Sequence, residues 1–372
     1  MYTWIEIRKS ALLNNYHIFC KMLGRKRVLP VLKSNAYGHG LREVAQLLTE
    51  DGCDQFGVNY LYEAEHLRSL GFSGRIIILG PIAQADLIAT FKLKAEVFVG
   101  SESVLQAWKA MGSRPKAHIK FDTGMSRQGF LVSKAESLAN DLLSYANDVV
   151  GLCTHLADVE DVLEHEYAYE QIANFKQVVH QFKKLNFRLE SHVASSASSL
   201  LIEESRFDLS RIGISMYGFW PSKATRLSYL KDHTQLANLQ PVLNWRCSIA
   251  NIKTVRSGQY IGYGCAFRAV KDMKIAVLPV GYFEGYSRIA GEHSSHVLVK
   301  GRRSPVVGRI CMNMMMIDVS HIDDLTIDDS VTLIGMDGDE CLRAEDLADW
   351  MQTIHYEVVT NLNSCIPRRV IE

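Results

Sequence analysis

Through the first two thirds of the chain the spacing of apolar residues keeps switching between a strand pattern and a helix pattern. Short apolar runs predict strands near residues 28–33, 55–58, 75–79, 95–98, 116–121, 149–154, 188–192 and 208–212. Between them, apolar residues three and four apart predict helices over 41–50, 61–70, 84–91, 102–111, 134–145, 162–185 and 196–203, several closed by a glycine such as Gly52, Gly71 or Gly112. A strand over 3–7 comes first, then a helix with Leu12, Tyr16, Phe19 and Leu23 on its apolar face, Ser10 as its N-cap and Gly24 as its stop. Strand and helix alternate about eight times, which closes most economically as a (β/α)8 barrel of the TIM type, although a doubly wound open sheet obeys the same local pattern. Polar placement favours the barrel. Lys33, Lys120, His155, Ser195, Ser196 and Arg211 all fall at or just after the carboxyl ends of predicted strands, the face on which barrels carry their chemistry.

From about Val242 the pattern becomes alternating and rich in turns, as in HVLVKG (296–301), SPVVGRI (304–310) and DSVTLIG (329–335). Helical spacing returns over 343–352 and 355–362. The polar stretch 222–238 reads as a linker. The expected organisation is therefore a barrel over 8–230 followed by a mainly-β domain over 235–372, with the first strand, 1–7, available to pair with that second domain.

A chain of 372 residues suits two domains, and 47% hydrophobic residues can fill both cores. The 41 basic and 41 acidic residues cancel and form no long runs, so nothing marks a nucleic-acid or anionic-membrane partner. A small-molecule partner is expected instead. The start, MYTWIEIRKS, carries Glu6 and Arg8 and lacks the apolar centre of a secretory signal, and no stretch approaches the roughly 18 apolar residues of a membrane span. The eight cysteines are scattered without a C-x-x-C pair, mostly in apolar runs, and read as buried thiols in a reducing cytoplasm; no metal site is expected.

VLPVLKSNAYGHG (28–40) delivers Lys33 from an apolar strand into a turn expected to continue as a helix. Burying an ammonium costs several kcal/mol or forces its pKa down, so such a lysine is either exposed at a rim or held for chemistry. HIKFDTGMSRQG (118–129) runs from Lys120 into a turn that could project Arg127 across a barrel mouth, or simply leave it on the surface. CTHLAD (153–158) ends a strand on His155, which could equally be a satisfied core histidine. SHVASSA (191–197) and RIGISMYG (211–218) place Ser196, Gly213 and Ile214 after the seventh and eighth strands, where barrels often bind phosphate. In IGYGCAF (261–267), Tyr263 between two glycines reads as a turn residue.

Together with PVGYFEGY (279–286) and VGRICMNM (307–314), these motifs closely resemble, in order and across essentially the whole chain, the bacterial alanine racemases. The resemblance implies a pyridoxal 5'-phosphate enzyme of fold type III, in which Lys33 joins the cofactor through a Schiff base. It implies that Tyr37, Ser196, Gly213 and Ile214 hold the phosphate, that His155 stacks on the pyridine ring and that Arg211 bonds the ring nitrogen. Arg127 would steer the substrate carboxylate, with Lys120, carbamylated in many relatives, orienting it. The Met312 backbone N–H would meet the carboxylate, Tyr282 would gate the site, and Asn313 would support it. Lys33 would be the base for D-alanine and Tyr263 the base for L-alanine, acting across a homodimer whose sites are shared, to supply D-alanine for peptidoglycan. Two features of this assignment make physical sense. An arginine stays protonated and has no acceptor, so a ring nitrogen facing it must accept. Inversion needs a proton removed from one face and returned on the other, hence two bases.

The chain departs from the family pattern at Ile212, Ser195, Asn313 and the pair Ser364 and Cys365, where relatives commonly have proline, asparagine, aspartate, and tyrosine followed by arginine. A racemase for serine or for a broader set of amino acids is the alternative reading. A non-catalytic cofactor carrier would have no use for the β domain or Tyr263, and a barrel decarboxylase usually sets a carboxylate, not an arginine, against the ring nitrogen.

Overall fold

Eight short parallel strands follow one another through the first body of the computed structural model, which describes residues 2–160, 164–233, 235 and 237–372. They are Val28–Pro30, Gln55–Val58, Arg75–Ile78, Glu96–Val99, Ala117–Asp122, Val149–Cys153, Glu190–His192 and Ser210–Ile212. Six of them, from Gln55–Val58 to Glu190–His192, form one continuous parallel sheet, and Ser210–Ile212 pairs with Val28–Pro30. Backbone bonds close the ring: Leu32 N–H donates to Gly57 (2.8 Å) and Arg211 N–H to Ala194 (3.0 Å). The result is the expected barrel rather than an open sheet. Its interior is apolar where Leu29, Ile77, Phe98, Cys153 and Leu209 meet. Helices including Leu41–Glu50, Leu61–Ser69, Glu102–Ala110 and Glu166–Lys184 follow the strands, each burying an apolar stripe.

The chain divides into two compact bodies: Ala11–Ala36 with Val44–Gln240, and the N-terminal residues to Ser10 with Tyr37–Glu43 and Pro241–Glu372. In the second body Thr3–Arg8 lies antiparallel to Leu243–Ser248 and parallel to Arg368–Ile371, inside a seven-stranded sheet. Alternation explains the fit, since Thr3, Ile5 and Ile7 face inward and Trp4, Glu6 and Arg8 are only half-buried. A second sheet joins Asn251–Val255, Met273–Leu278 and Met315–Asp318. Val255, Ile261, Met273, Ile275 and Val307 pack together into a core.

Several local expectations fail for physical reasons. Ser10 is not an N-cap, because the helix Lys9–Leu23 starts directly after the strand and takes Ser10 into its first turn. The 222–238 stretch is not simply a linker: Lys223–Asp232 is a helix whose N-cap, Ser222, accepts from Thr225 N–H at 3.0 Å. Its buried face is Thr225, Ser228 and Tyr229, too polar to register as an apolar stripe. Residues 234 and 236 of that stretch, and 162–163 at the start of the expected 162–185 helix, lie outside the described residues. Only Cys53, Cys153 and Cys247 are buried, while Cys265 and Cys365 sit exposed in turns.

Candidate active site

The turn after Lys33 is left-handed. Ser34, Asn35, Ala36 and Tyr37 all have φ between 52° and 55°, and the right-handed helix begins only at Leu41. Each such residue costs roughly 1–2 kcal/mol, so the turn must be held from outside. Glu63 does this from the next strand-helix junction. One of its oxygens accepts Ser34 N–H at 2.6 Å, and the other accepts Asn59 and Tyr60 N–H at 2.7 and 3.1 Å. Glu63 is buried. It was not singled out in the sequence because a first-turn glutamate is ordinary helix chemistry.

Lys33 is half-buried at the barrel mouth, and burial followed by the nearby Arg127 and Arg211 charges lowers its ammonium pKa. Lys120 is buried; desolvation, against the opposing pull of Cys153 and with the Arg211 and Arg127 charges, brings it to about 8. Its Nζ donates to Gln128 Oε1 at 3.2 Å. Arg127 is exposed on the loop that Asp122 shapes by accepting Gly124 and Ser126 N–H at 2.9 and 3.0 Å. Lys120, Arg127, Gln128, Thr154 and His155 line one recess.

Arg211 is 7% exposed and is the most heavily bonded group at this end of the barrel. Nη1 donates to His192 Nδ1 (2.8 Å) and to the His192 carbonyl (3.0 Å). Nη2 donates to the carbonyls of Thr154 and Val193, both at 2.8 Å, and to His155 Nδ1 at 3.1 Å. Burial, with Arg127 adding repulsion, brings its pKa only to about 10, so it stays cationic. His155 is kept neutral by burial and by the Arg211, Arg127, Lys120 and Lys33 charges, and since its Nδ1 accepts from Arg211 its proton lies on Nε2. Ser196 Oγ accepts Gly213 N–H at 3.0 Å, tying together the seventh and eighth strand ends. That bond already engages the Gly213 N–H expected at a phosphate.

Lys33, Lys120, Arg127, His155, Ser196, Arg211, Gly213 and Ile214 thus all belong to the barrel body, and Tyr37, Tyr263, Tyr282, Met312 and Asn313 to the other. In that second body the hairpin pair Tyr260–Ile261 and Phe267–Arg268 carries Tyr263 near its tip, 68% exposed. Phe283 N–H donates to the Met312 carbonyl at 2.9 Å, and Tyr282 N–H to that of Cys311 at 3.2 Å, so the two loops are one unit. Asn313 Nδ2 donates to Glu284 Oε1 at 2.8 Å, a bond that an aspartate at this position could not make in its ionised form. Tyr37 is buried, with its ring 6.4 Å from that of Tyr356.

The fold sets Lys33, Lys120 and Arg211 at one end of a parallel barrel, the face on which barrel enzymes carry their chemistry. The family model of the alanine racemase N-terminal domain matches residues 7–221, and that of the C-terminal domain matches residues 242–370. An alanine racemase of Leptospira interrogans serogroup Icterohaemorrhagiae serovar copenhageni is 37% identical over 374 residues, covering 100% of this chain and 96% of its own. One from Halothermothrix orenii is 35% identical over 373 residues, covering 98% and 96%. The crystal structure of alanine racemase from Bacillus anthracis with bound L-Ala-P superposes with a TM-score of 0.89 at 30% identity, covering 100% of this chain and 95% of that one. The chain belongs to the alanine racemase family, and it is an isomerase.

The residues present fit a pyridine cofactor. Among the described residues, all five protein acceptors of Arg211 lie on its two η nitrogens, which leaves Nε–H as its remaining donor, suited to a ring nitrogen that accepts. Lys33, with its lowered pKa, is suited to imine chemistry.

Proposed function

We propose that this protein interconverts L-alanine and D-alanine with pyridoxal 5'-phosphate, by two bases, as a cytoplasmic homodimer that supplies D-alanine for peptidoglycan. The observation that carries the reading is the pairing of Lys33, lowered in pKa, with an Arg211 that is bonded at both η nitrogens yet, among the described residues, has no protein acceptor on Nε–H. Lys33, Arg211 and His155 would hold the cofactor's reactive end and ring, and Tyr37, Ser196 and Ile214 its phosphate, with the Gly213 N–H, bonded to Ser196 Oγ, shaping that turn. The bound cofactor supplies a conjugated ring that accepts negative charge from the α-carbon.

The chain's own residues do the rest. Lys33 moves the α-proton on one face and Tyr263 on the other, since a single base would return the proton to the face it left. Tyr263 belongs to the partner subunit's contribution in this reading; its exposure at a hairpin tip suits such a role. Arg127, on its Asp122-shaped loop, and the Met312 backbone orient the carboxylate, and Tyr282 stands at the entrance. Arg211 can only donate, so it would hold a ring nitrogen as an unprotonated acceptor, an arrangement that would favour return of the proton to the α-carbon over transamination. Lys120, at a pKa of about 8, has enough neutral amine near neutral pH to take up carbon dioxide, and the carbamate would accept from Arg127.

The test is direct. Purified protein supplied with pyridoxal 5'-phosphate should racemise L-alanine, followed by polarimetry, with kcat/KM well above that for L-serine. A preference for serine would select the alternative racemase, and failure with both would reject the reaction.

A further inference from the structure

Beneath Arg211 the barrel interior contains a line of polar side chains that the proposed reaction does not use. His192 Nε2 lies 2.9 Å from His118 Nδ1, and His118 Nε2 lies 2.7 Å from Glu96 Oε2. Glu96 in turn takes two bonds from Arg75, at 2.8 and 2.9 Å, and Arg75 also reaches Glu190 at 2.8 Å. Both rings pack on Phe98, at centroid distances of 5.8 and 5.4 Å. His118 and His192 have no exposed surface.

The line has only one permitted direction. Arg211 has no acceptor, so His192 must accept at Nδ1 and carry its proton on Nε2. His118 must then accept at Nδ1 and carry its own proton on Nε2, which it donates to the Glu96 carboxylate. Neither ring can gain a second proton without setting two donors against each other. The neighbouring strand is built around this arrangement: a Cβ at Gly151, which is in register with His118, would lie 2.0 Å from His118 Nδ1.

We infer that His192, His118 and Glu96 are positioning residues for Arg211, holding its guanidinium through this one-way line anchored by Arg75 and Glu190 at the opposite strand ends. The inference rests on the reading of Arg211 as the partner of the ring nitrogen. Losing His118 leaves His192 Nε2–H without its acceptor, so that the ring to which Arg211 Nη1 donates can turn and the guanidinium can tilt, while the groups that touch substrate stay in place.

Histidine-selective 15N NMR of the purified protein at pH 7 should find both rings neutral with the proton on Nε2. A protonated ring, or a proton on Nδ1 of either, overturns the line. This measurement involves no turnover, so it remains decisive even if the unmodified protein fails to racemise alanine, a result that would reject the assigned reaction alone.

Kinetics then test the positioning. His118→Phe keeps the ring volume but can neither accept nor donate, and should lower kcat for alanine about tenfold with KM within about twofold. His118→Gln, which can do both, should stay within about twofold of the unmodified protein. In an Arg211→Lys background, His118→Phe should cost less than about twofold, because the group it serves is gone. A repeated tenfold loss there would show that it acts independently of Arg211 and would overturn the inference. Should His118→Phe fail to fold, Gly151→Ala displaces the ring with every member of the line present and should give the same tenfold loss; an unchanged kcat would overturn the inference.

Discussion

At the barrel mouth Arg211 gives both η nitrogens to five protein acceptors, and Lys33 is lowered in pKa by burial and neighbouring charge. In the second body Tyr263 stands 68% exposed on a narrow hairpin between Gly262 and Gly264, and the Tyr282 and Met312 loops are joined through backbone bonds. The first region fixes side chains by packing and hydrogen bonds; the second fixes backbone and leaves side-chain tips exposed. The hydrogen-bonded residues of the first region, Arg211 and its partners, should therefore be coupled to one another and to stability. Those of the second should affect activity while leaving the fold alone.

The largest effect is expected at Lys33. Lys33→Ala should lower alanine racemisation by more than about 10⁴-fold while the melting temperature holds or rises, since a partly buried ammonium is removed. A large fall in melting temperature would mean that the lysine is structural. Tyr263→Phe should lower racemisation by about 10²–10⁴-fold with no change in calorimetric melting temperature, as suits an exposed ring. A loss of stability in Tyr263→Phe as large as that in Arg211→Ala would erase the contrast between the regions.

Acid titration sharpens the comparison from the barrel side. Burial opposes ionisation of Glu96, but hydrogen bonds from His118 and Arg75 outweigh it and bring the carboxyl from its ordinary 4.5 to about 2. A depressed carboxyl stabilises the fold above its unfolded value and loses that contribution as the pH falls. About 3 kcal/mol should therefore disappear between about pH 4.5 and 2, and denaturant titrations should show a shallower acid loss in Glu96→Gln.

The smallest change is a partial recovery. If Tyr263 serves the partner's site, mixing inactive Lys33→Ala and Tyr263→Ala proteins under conditions that exchange subunits makes about half the dimers mixed, each with one intact site. Activity should return to about a quarter of the unmodified level. No recovery after demonstrated exchange would place both bases in one chain.

Much of this was legible in the chain because strands and helices carry different periods. All eight barrel strands lie where apolar runs place them; Lys120 and Arg211 fall within the last residues of their strands, and Lys33 and His155 just beyond theirs. The inward polar line was partly legible too, since His118 lies two residues before Lys120, and Glu190 two before His192, the spacing of one strand face. That these residues touch was not, because the contacts join strands 22 and 74 residues apart. The helix Lys223–Asp232 escaped notice because its buried face is polar and aromatic rather than aliphatic.

Local sequence thus determined the order of elements and the residue types at the barrel mouth, because periodicity and turn chemistry act over a few residues. Only the folded chain decided the left-handed conformation of Ser34–Tyr37, which Glu63 supports at Ser34 from 29 residues away. Only the folded chain, likewise, decided the proton positions on His155 and His192. A histidine has two possible neutral tautomers, and it is the permanently protonated Arg211, brought against both rings by the closing of the barrel, that leaves each of them one.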